Sequence, residues 1–506
     1  MGHRRTMVQH RIKFVWLLVA ALGLEGCNSK TPGPSDPKAA FRGVTIKVLA
    51  PDLPQLLTWL EDQRGEWTAQ TGASVEVVAQ SGADPTSPKD GLAGSALTQS
   101  SIPNADIVIF PATSMANAKA STLATKVPPE VLDATAYEIR DIASAAEHLM
   151  TWDRMTYALP LSVETPLVYY RTDLFAREDI RDQFQNKHGR PLLPPQTWDE
   201  FDEIVKFFDG SDIDGDGTPD RSLAIASAGE SLISRAAAYG KPPQNFSFYF
   251  DVTTLEPLAD GPAFQLALER WLDVAHCLAN DRREDPQLTA LTSGRAVFAI
   301  GSSRLADHVL RAAVKSGIDK VAGAVGCLPI PGSPRVYLHD RKSWSELPAG
   351  KLNRPAVING LCAAVPQSSG QAAAAYDFLM FLTNRERSLP SVTTASSGFG
   401  PYRASHLIDS AAWVSGGWPA ASVPSYLAAM RDSVNQPNVV AILRIDASEA
   451  FHKSLDAEAS AALSGEKTPA EALAAVAESW RRICDERGKD RLRRHYRYSL
   501  GLPVVN

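Results

Sequence analysis

No C-x-x-C pair occurs anywhere in the chain, and only five cysteines are spread over its 506 residues. Thiolate metal centres and thioredoxin-like redox chemistry are therefore poorly supported. Cys277, Cys327, Cys362 and Cys484 leave zero, one or two disulfides open. The ten histidines are scattered rather than set at ligand spacing. G-x-S-x-G, H-E-x-x-H, G-x-G-x-x-G and a P-loop are all absent, which removes the common hydrolase, metalloprotease and nucleotide signatures. Positive charge is in short supply as well: 51 Lys and Arg stand against 57 Asp and Glu, a formal net charge of -6. A mildly acidic body has no general electrostatic reason to bind nucleic acid or anionic lipid.

What remains has ordinary globular composition, 44% hydrophobic and 21% charged, in a chain too long for one hydrophobic core. Its one strongly basic segment contains Arg487, Lys489, Arg491, Arg493, Arg494 and Arg497. This reads as a solvated helix end and basic tail over 491–506, with membrane phosphates or a protein partner as the alternative.

The first 26 residues are distinct from the rest. Arg4, Arg5, Arg11 and Lys13 precede the apolar run Phe14–Leu24, which is too short for a transmembrane helix and suited to an export signal. Leu24-Glu-Gly-Cys27 and a Pro-, Ser- and Gly-rich stretch follow. The segment resembles a bacterial lipoprotein signal, although Glu25 departs from the usual small residue. That resemblance implies cleavage before Cys27, lipid on its sulfur and a tether over 27–43.

Folding is expected from residue 44. Val44–Ala50, Ser74–Ala79 and Ala105–Phe110 read as strands, with a Leu53, Leu56, Leu57 and Leu60 helix between the first two. Asp52 and Gln55 have capping-box spacing at its start. The order implies an α/β fold with a mostly parallel sheet, whose ligands sit beyond the carboxyl ends of the strands. Tyr157–Tyr170, extended, apolar and broken by prolines, reads as a hinge strand between domains. Thr197-Trp-Asp-Glu200 caps a helix whose inner face is Phe201, Ile204, Val205 and Phe208. Leu291–Gly301 leads into a buried strand, Gly323–Pro329 reads as a return crossing, and Thr468-Pro-Ala-Glu471 opens the last long helix. The seam of that helix buries Trp480.

Four stretches, Tyr157–Phe175, Thr197–Phe201, Thr292–Ala296 and Leu463–Leu473, resemble the extracellular solute-binding proteins of bacterial ABC importers, large sugar-binding branch. The resemblance implies two α/β lobes around an inter-lobe cleft. It divides them as 44–165 plus about 323–385 and 166–322 plus about 386–490. A small polar solute, a sugar or oligosaccharide, would be captured by hinge closure and passed to the importer's membrane subunits by a monomer with no chemistry on the ligand. A sensing receptor subunit or a secreted carbohydrate-active enzyme is the alternative.

Carbohydrate sites join aromatic faces to carboxylates, amides and hydroxyls. Glu164 lies where the resembling proteins point a glutamate into the cleft, with a lobe-closing hydrogen bond as its other role. Asp52 is divided between ligand and helix cap. Thr113 and Ser302 end strands where the family often has aromatics. Trp413 and Trp418 flank a glycine pair in a stretch read as a loop, Trp344 lies in a polar loop, Asn359 lies near the hinge, and Tyr169 is divided between core and contact. Separately, Asp212, Asp214, Asp216, Thr218 and Asp220 have the spacing of a calcium loop with Gly217 at the sharp turn. Leu223 stands where the bidentate glutamate belongs, so Glu230 or waters would complete a structural Ca²⁺ shell; an exposed acidic turn is the alternative.

Overall fold

Alternating β-branched and aliphatic residues build the first sheet. The computed structural model of the protein describes residues 40–80, 105–279, 288–315, 325–395 and 397–503. Thr45–Pro51 pairs in parallel with Ser74–Gln80 on one side and Ile107–Pro111 on the other. Ala356–Ala364 then runs antiparallel to both Ile107–Pro111 and Leu159–Glu164, while its first three residues pair with Val439–Ala441. The parallel part matches the strand–helix–strand reading. The helix Pro54–Thr71 buries Leu56 and Leu60 as its spacing predicts, but its N-cap is Leu53, with no side-chain cap. Pro54 already lacks one of the N–H groups a cap would satisfy, and Asp52 is left exposed.

The second sheet has the order Val325–Pro329, Pro166–Arg171, Phe298–Ser302, Leu223–Ile225. Pro166–Arg171 is antiparallel to both of its neighbours. Thr165 alone separates Leu159–Glu164 in one sheet from Pro166–Arg171 in the other, so the expected hinge strand does pass between domains. Both capping boxes form, at Thr197–Glu200 and Thr468–Glu471. Phe201, Ile204, Val205, Phe208 and Trp480 are all buried. Trp480 Nε1 donates to the Phe451 carbonyl at 3.0 Å, which fixes it in the core.

Two boundaries differ from the sequence expectation. Val325–Pro329 is a full strand of the second sheet rather than a return crossing; its backbone pairs with Leu167–Arg171, and the chain returns to the first sheet only at Ala356. Residues 387–403 are bonded to the first lobe, while Ser422 and Ser425 bond to Val325 and Cys327 of the second sheet. Buried Arg403 donates to the carbonyls of Tyr137 and Thr383 at 2.9 Å each, and Gly400 N donates to Ser162 Oγ at 2.8 Å. A guanidinium has five donors, and these carbonyls together with the Asp141 carboxylate at 3.4 Å make its burial tolerable.

The basic end, expected as a solvated helix end and tail, forms a separate helix, Lys489–Ser499, with Leu492 and Tyr496 buried. Lys489 pairs with Glu256 and Arg491 with Asp446. Tyr498 accepts from Asp153 N at 2.9 Å, and Arg444 links Leu149 and Ser499 through their carbonyls. The four described cysteines are buried and free, so of the zero, one or two disulfides left open, zero is realised among them. The export signal, Cys27 and the tether to residue 39 lie outside the described residues. Among the described residues no helix is long and apolar enough to cross a membrane.

Candidate functional site

The fully buried strand Ile107–Pro111 ends in a single 3₁₀ turn, Ala112–Ser114, which sets Thr113 at its carboxyl end. Alongside, Ala356–Ala364 and Leu159–Glu164 pair so that Asn359 stands opposite Glu164. Close backbone contact holds this arrangement. A Cβ on Gly360 would lie 2.0 Å from the Ser162 carbonyl oxygen, and one on Gly400 would lie 1.9 Å from that of Val163. Glycine is required at both positions because no side chain fits.

The second lobe contributes from the end of Phe298–Ser302. Ser302 Oγ donates to Glu164 Oε2 at 3.3 Å. Ser303 clamps the hinge residue, its N donating to the Thr165 carbonyl at 2.7 Å and its Oγ accepting from Thr165 N at 3.1 Å. The helix Ala228–Gly240 places Glu230 in its first turn, where Ser227 Oγ accepts from Glu230 N. Asp456 Oδ1 accepts from Gly229 N at 2.8 Å. At the edge of this seam Ser448 Oγ donates to the Thr113 carbonyl at 3.3 Å, joining the lobes directly.

Burial dominates the electrostatics of the two glutamates. It raises the Glu164 carboxyl above its usual range, against the opposing pull of Arg304 and Ser302. Burial pushes Glu230 up to about 7, and the neighbouring charges of Glu164 and Asp456 add to the rise while Arg304 resists it. Glu164 Oε1, Asn359 Oδ1 and Thr113 Oγ1 are buried without a protein partner. Unmet buried polar groups are costly, about 1–3 kcal/mol each. Three such atoms lie close to the hinge between the two sheets.

Of the residues expected from sequence, Glu164, Thr113, Asn359 and Ser302 are brought together. The aromatic expectations are corrected. Trp413 lies in the short helix Ser410–Ser415, fully buried, with Nε1 donating to the His406 carbonyl at 2.8 Å. Trp418 is also buried, stacked on Tyr426 at 4.8 Å with Trp413 set edgewise to both. Tyr169 is fully buried and its hydroxyl donates to the Ser302 carbonyl at 2.9 Å, so its role is core. Trp344 sits in the two-stranded hairpin Arg335–Leu338 and Ser343–Glu346, against Tyr337, Tyr239 and Arg335. Tyr239 is at the far end of the helix that begins near Glu230, nine residues or about 13 Å away. Glu230, Arg304 and Asp456 were not assigned to this site by sequence. The signal available for Glu230 was the spacing Ser227-x-x-Glu230 of a helix start.

The acidic loop forms as a sharp turn, with Gly215 and Gly217 at φ of +82° and +89°. Asp212, Asp214 and Asp216 present carboxylate oxygens within 4.8 Å of one another. Asp212 also accepts from Gly215 N and Gly217 N, Asp216 from Thr218 N, and Asp220 from Ile213 N. Glu230, in the first turn of the helix Ala228–Gly240, is not part of this group of carboxylates. A second cluster able to hold a metal consists of Asp209, His276 and Cys277.

Two sheet-containing lobes with a polar seam at the hinge define a binding-protein architecture, and comparison places the chain within it. Residues 66–415 match the family described as bacterial extracellular solute-binding protein. The chain belongs to that family, whose members bind solutes rather than transform them. No curated protein matches it. Among solved structures, the sugar-binding protein MalE from Xanthomonas citri aligns with a TM-score of 0.64 at 15% identity, covering 88% of this chain and 98% of that one. A solute-binding protein from Agrobacterium radiobacter in complex with ribitol aligns at 0.61 and 16% identity, covering 88% and 99%. Maltose-bound MalE3 from T. maritima aligns at 0.59 and 18%, covering 87% and 100%.

Proposed function

We propose that the protein captures a carbohydrate or polyol between its lobes, outside the cytoplasm, and delivers it unaltered to an ABC importer. The observation that carries this reading is the seam itself. Glu164 Oε1, Asn359 Oδ1 and Thr113 Oγ1 are buried and unpartnered where two lobes meet at a hinge. Vicinal hydroxyls both donate and accept, so one polyol satisfies several such atoms at once. Ribitol and maltose in the aligned structures agree with that chemistry. Asp52, exposed at the end of the first strand, is a further candidate contact at the edge.

The N-terminal segment is proposed to be cleaved before Cys27 and the sulfur lipidated, which holds a monomeric body at the membrane beside the importer. Calcium is proposed for the loop of Asp212, Asp214, Asp216, Thr218 and Asp220, since three clustered carboxylates repel one another without a cation. Titration calorimetry of the purified body with calcium tests the loop: binding heat and a raised melting temperature support it, and no heat with an unchanged melt refutes it. The functional reading is tested by thermal-shift screening against sugars, oligosaccharides and polyols. A hit confirmed by calorimetry supports it, and a panel in which no member stabilises the protein refutes it.

A further inference from the structure

Three metal-binding side chains from distant parts of the sequence meet at one edge of the second sheet. Ser222 Oγ donates to the Val205 carbonyl at 2.7 Å, and Asp209 N donates to the same carbonyl at 3.2 Å. One residue on, Leu223 bridges Leu278 and accepts from Ala279 N at 2.8 Å. The segment Arg221–Leu223 is thus bonded both to the end of the helix Trp198–Phe208 and to the chain just past the 3₁₀ turn Ala275–Cys277. Asp209, His276 and Cys277 thereby bring a carboxylate oxygen, an imidazole nitrogen and a sulfur within 4.8 Å of one another.

Asp209 carries a separate mark of a missing partner. Its Oδ2 accepts from Arg221 at 3.0 Å, whereas its Oδ1 is buried with no partner among the described residues. Neither His276 nor Cys277 donates to that oxygen, close as they are. Cys277 is fully buried and free, and His276 is exposed, so the group runs from the interior to solvent.

We propose that Asp209, His276 and Cys277 bind a zinc ion, with water in the fourth position on the solvent side. Sulfur, nitrogen and oxygen together are the donor set of zinc, whereas calcium and magnesium take oxygen shells. Zinc–ligand lengths of about 2.0–2.3 Å put tetrahedral donors roughly 3.3–3.8 Å apart, so donors already within 4.8 Å need only small side-chain rotations. Arg221 holds Oδ2 and leaves Oδ1 for the metal, the usual work of an outer-shell partner. On binding, the Cys277 proton passes to solvent and the sulfur coordinates as thiolate. Such an ion would tie the end of one helix to the turn that follows another, within the second lobe and independently of any solute. The lack of a C-x-x-C pair does not bear on it, because the ligands come from two separate segments.

Titration of the reduced, chelator-stripped protein with zinc, and with cobalt as its spectroscopic stand-in, tests the site. One zinc per chain with a raised melting temperature is expected, and calcium should not displace it. Cobalt should give sulfur-to-metal charge-transfer absorption that disappears in Cys277→Ser. His276→Ala and Asp209→Asn should each weaken zinc binding at least about tenfold, or about 1.4 kcal/mol, while Asp214→Asn in the acidic loop should leave it unchanged. His276 is exposed, so its variant carries the test if Cys277→Ser does not fold. Absence of zinc binding, cobalt binding without thiolate absorption, or zinc affinity unchanged in both His276→Ala and Asp209→Asn overturns the inference and leaves solute capture standing.

Discussion

Asn359 and Glu164 stand opposite each other across antiparallel strands, one residue before the chain leaves the first lobe through Thr165. An amide and a carboxylate so placed belong to the hinge and to the seam at once. Under the proposed function, closure of the lobes and contact with a solute would involve the same few atoms, which lets a partner distinguish loaded from empty protein.

Asn359→Leu and Ser302→Ala are expected to weaken solute binding by about 1–3 kcal/mol each, since each removes a polar partner inside the seam. The melting temperature of the solute-free Asn359→Leu variant should fall little, because Asn359 Oδ1 has no protein partner to lose, whereas Ser302→Ala also removes the hydrogen bond to Glu164 and should melt lower. Calorimetry with the solute identified by screening checks the first outcome and a melting scan the second.

Gly360→Ala and Gly400→Ala should each destabilise the protein by about 2–4 kcal/mol. The new methyl would have to occupy space within about 2 Å of a carbonyl oxygen; in Gly360→Ala the strands bearing Asn359 and Glu164 would have to separate, and in Gly400→Ala the segment at Gly400 would have to move off Leu159–Glu164. Urea melts read the loss, and affinity should fall with it.

Glu230 gives stability a predictable slope. Its folded carboxyl titrates at about 7 against an ordinary 4.5, so the folded state binds more protons than the unfolded state between those values. Stability without solute is therefore full below about pH 4.5 and declines as pH rises through about 7. Glu230→Gln should remove that decline. The variant is expected to melt above the parent at about pH 8 and close to it at about pH 4. A variant that melts below the parent at the higher pH would contradict the placement of the carboxylate.

Trp413→Phe is expected to cost about 1–3 kcal/mol of stability while leaving solute affinity within twofold. Its indole fills a buried aromatic group and holds the His406 carbonyl. A large loss of affinity without loss of stability would return it to the site.

The elements that sequence made legible are those written in local chemistry. Thr197–Glu200 and Thr468–Glu471 are capping boxes because a hydroxyl and a carboxylate three residues apart satisfy each other's backbone, and nothing distant is needed. Thr113 was expected near a cleft because strand ends point there in α/β folds, and Glu164 because of the family resemblance; the structure brings both to the junction of the two sheets. Trp413 and Trp418 misled because Gly416 and Gly417 between them suggested an open loop. Those glycines instead allow the chain to pack closely: a Cβ on Gly416 would come 2.0 Å from the Thr393 carbonyl. Glu230 was offered, with waters as the alternative, to complete the acidic loop, whereas it lies in the first turn of the helix Ala228–Gly240, outside the cluster of Asp212, Asp214 and Asp216. The strand Val325–Pro329 was read as a crossing because pairing with Pro166–Arg171, far away in the chain, leaves no local mark.

The most direct measurement compares the parent and Glu164→Gln by titration calorimetry with the same solute, the strongest stabiliser from the carbohydrate and polyol screen. Loss of binding by about tenfold or more, in a variant that melts at or above the parent, is the predicted result. Undiminished affinity in the variant would contradict a binding seam built around Glu164.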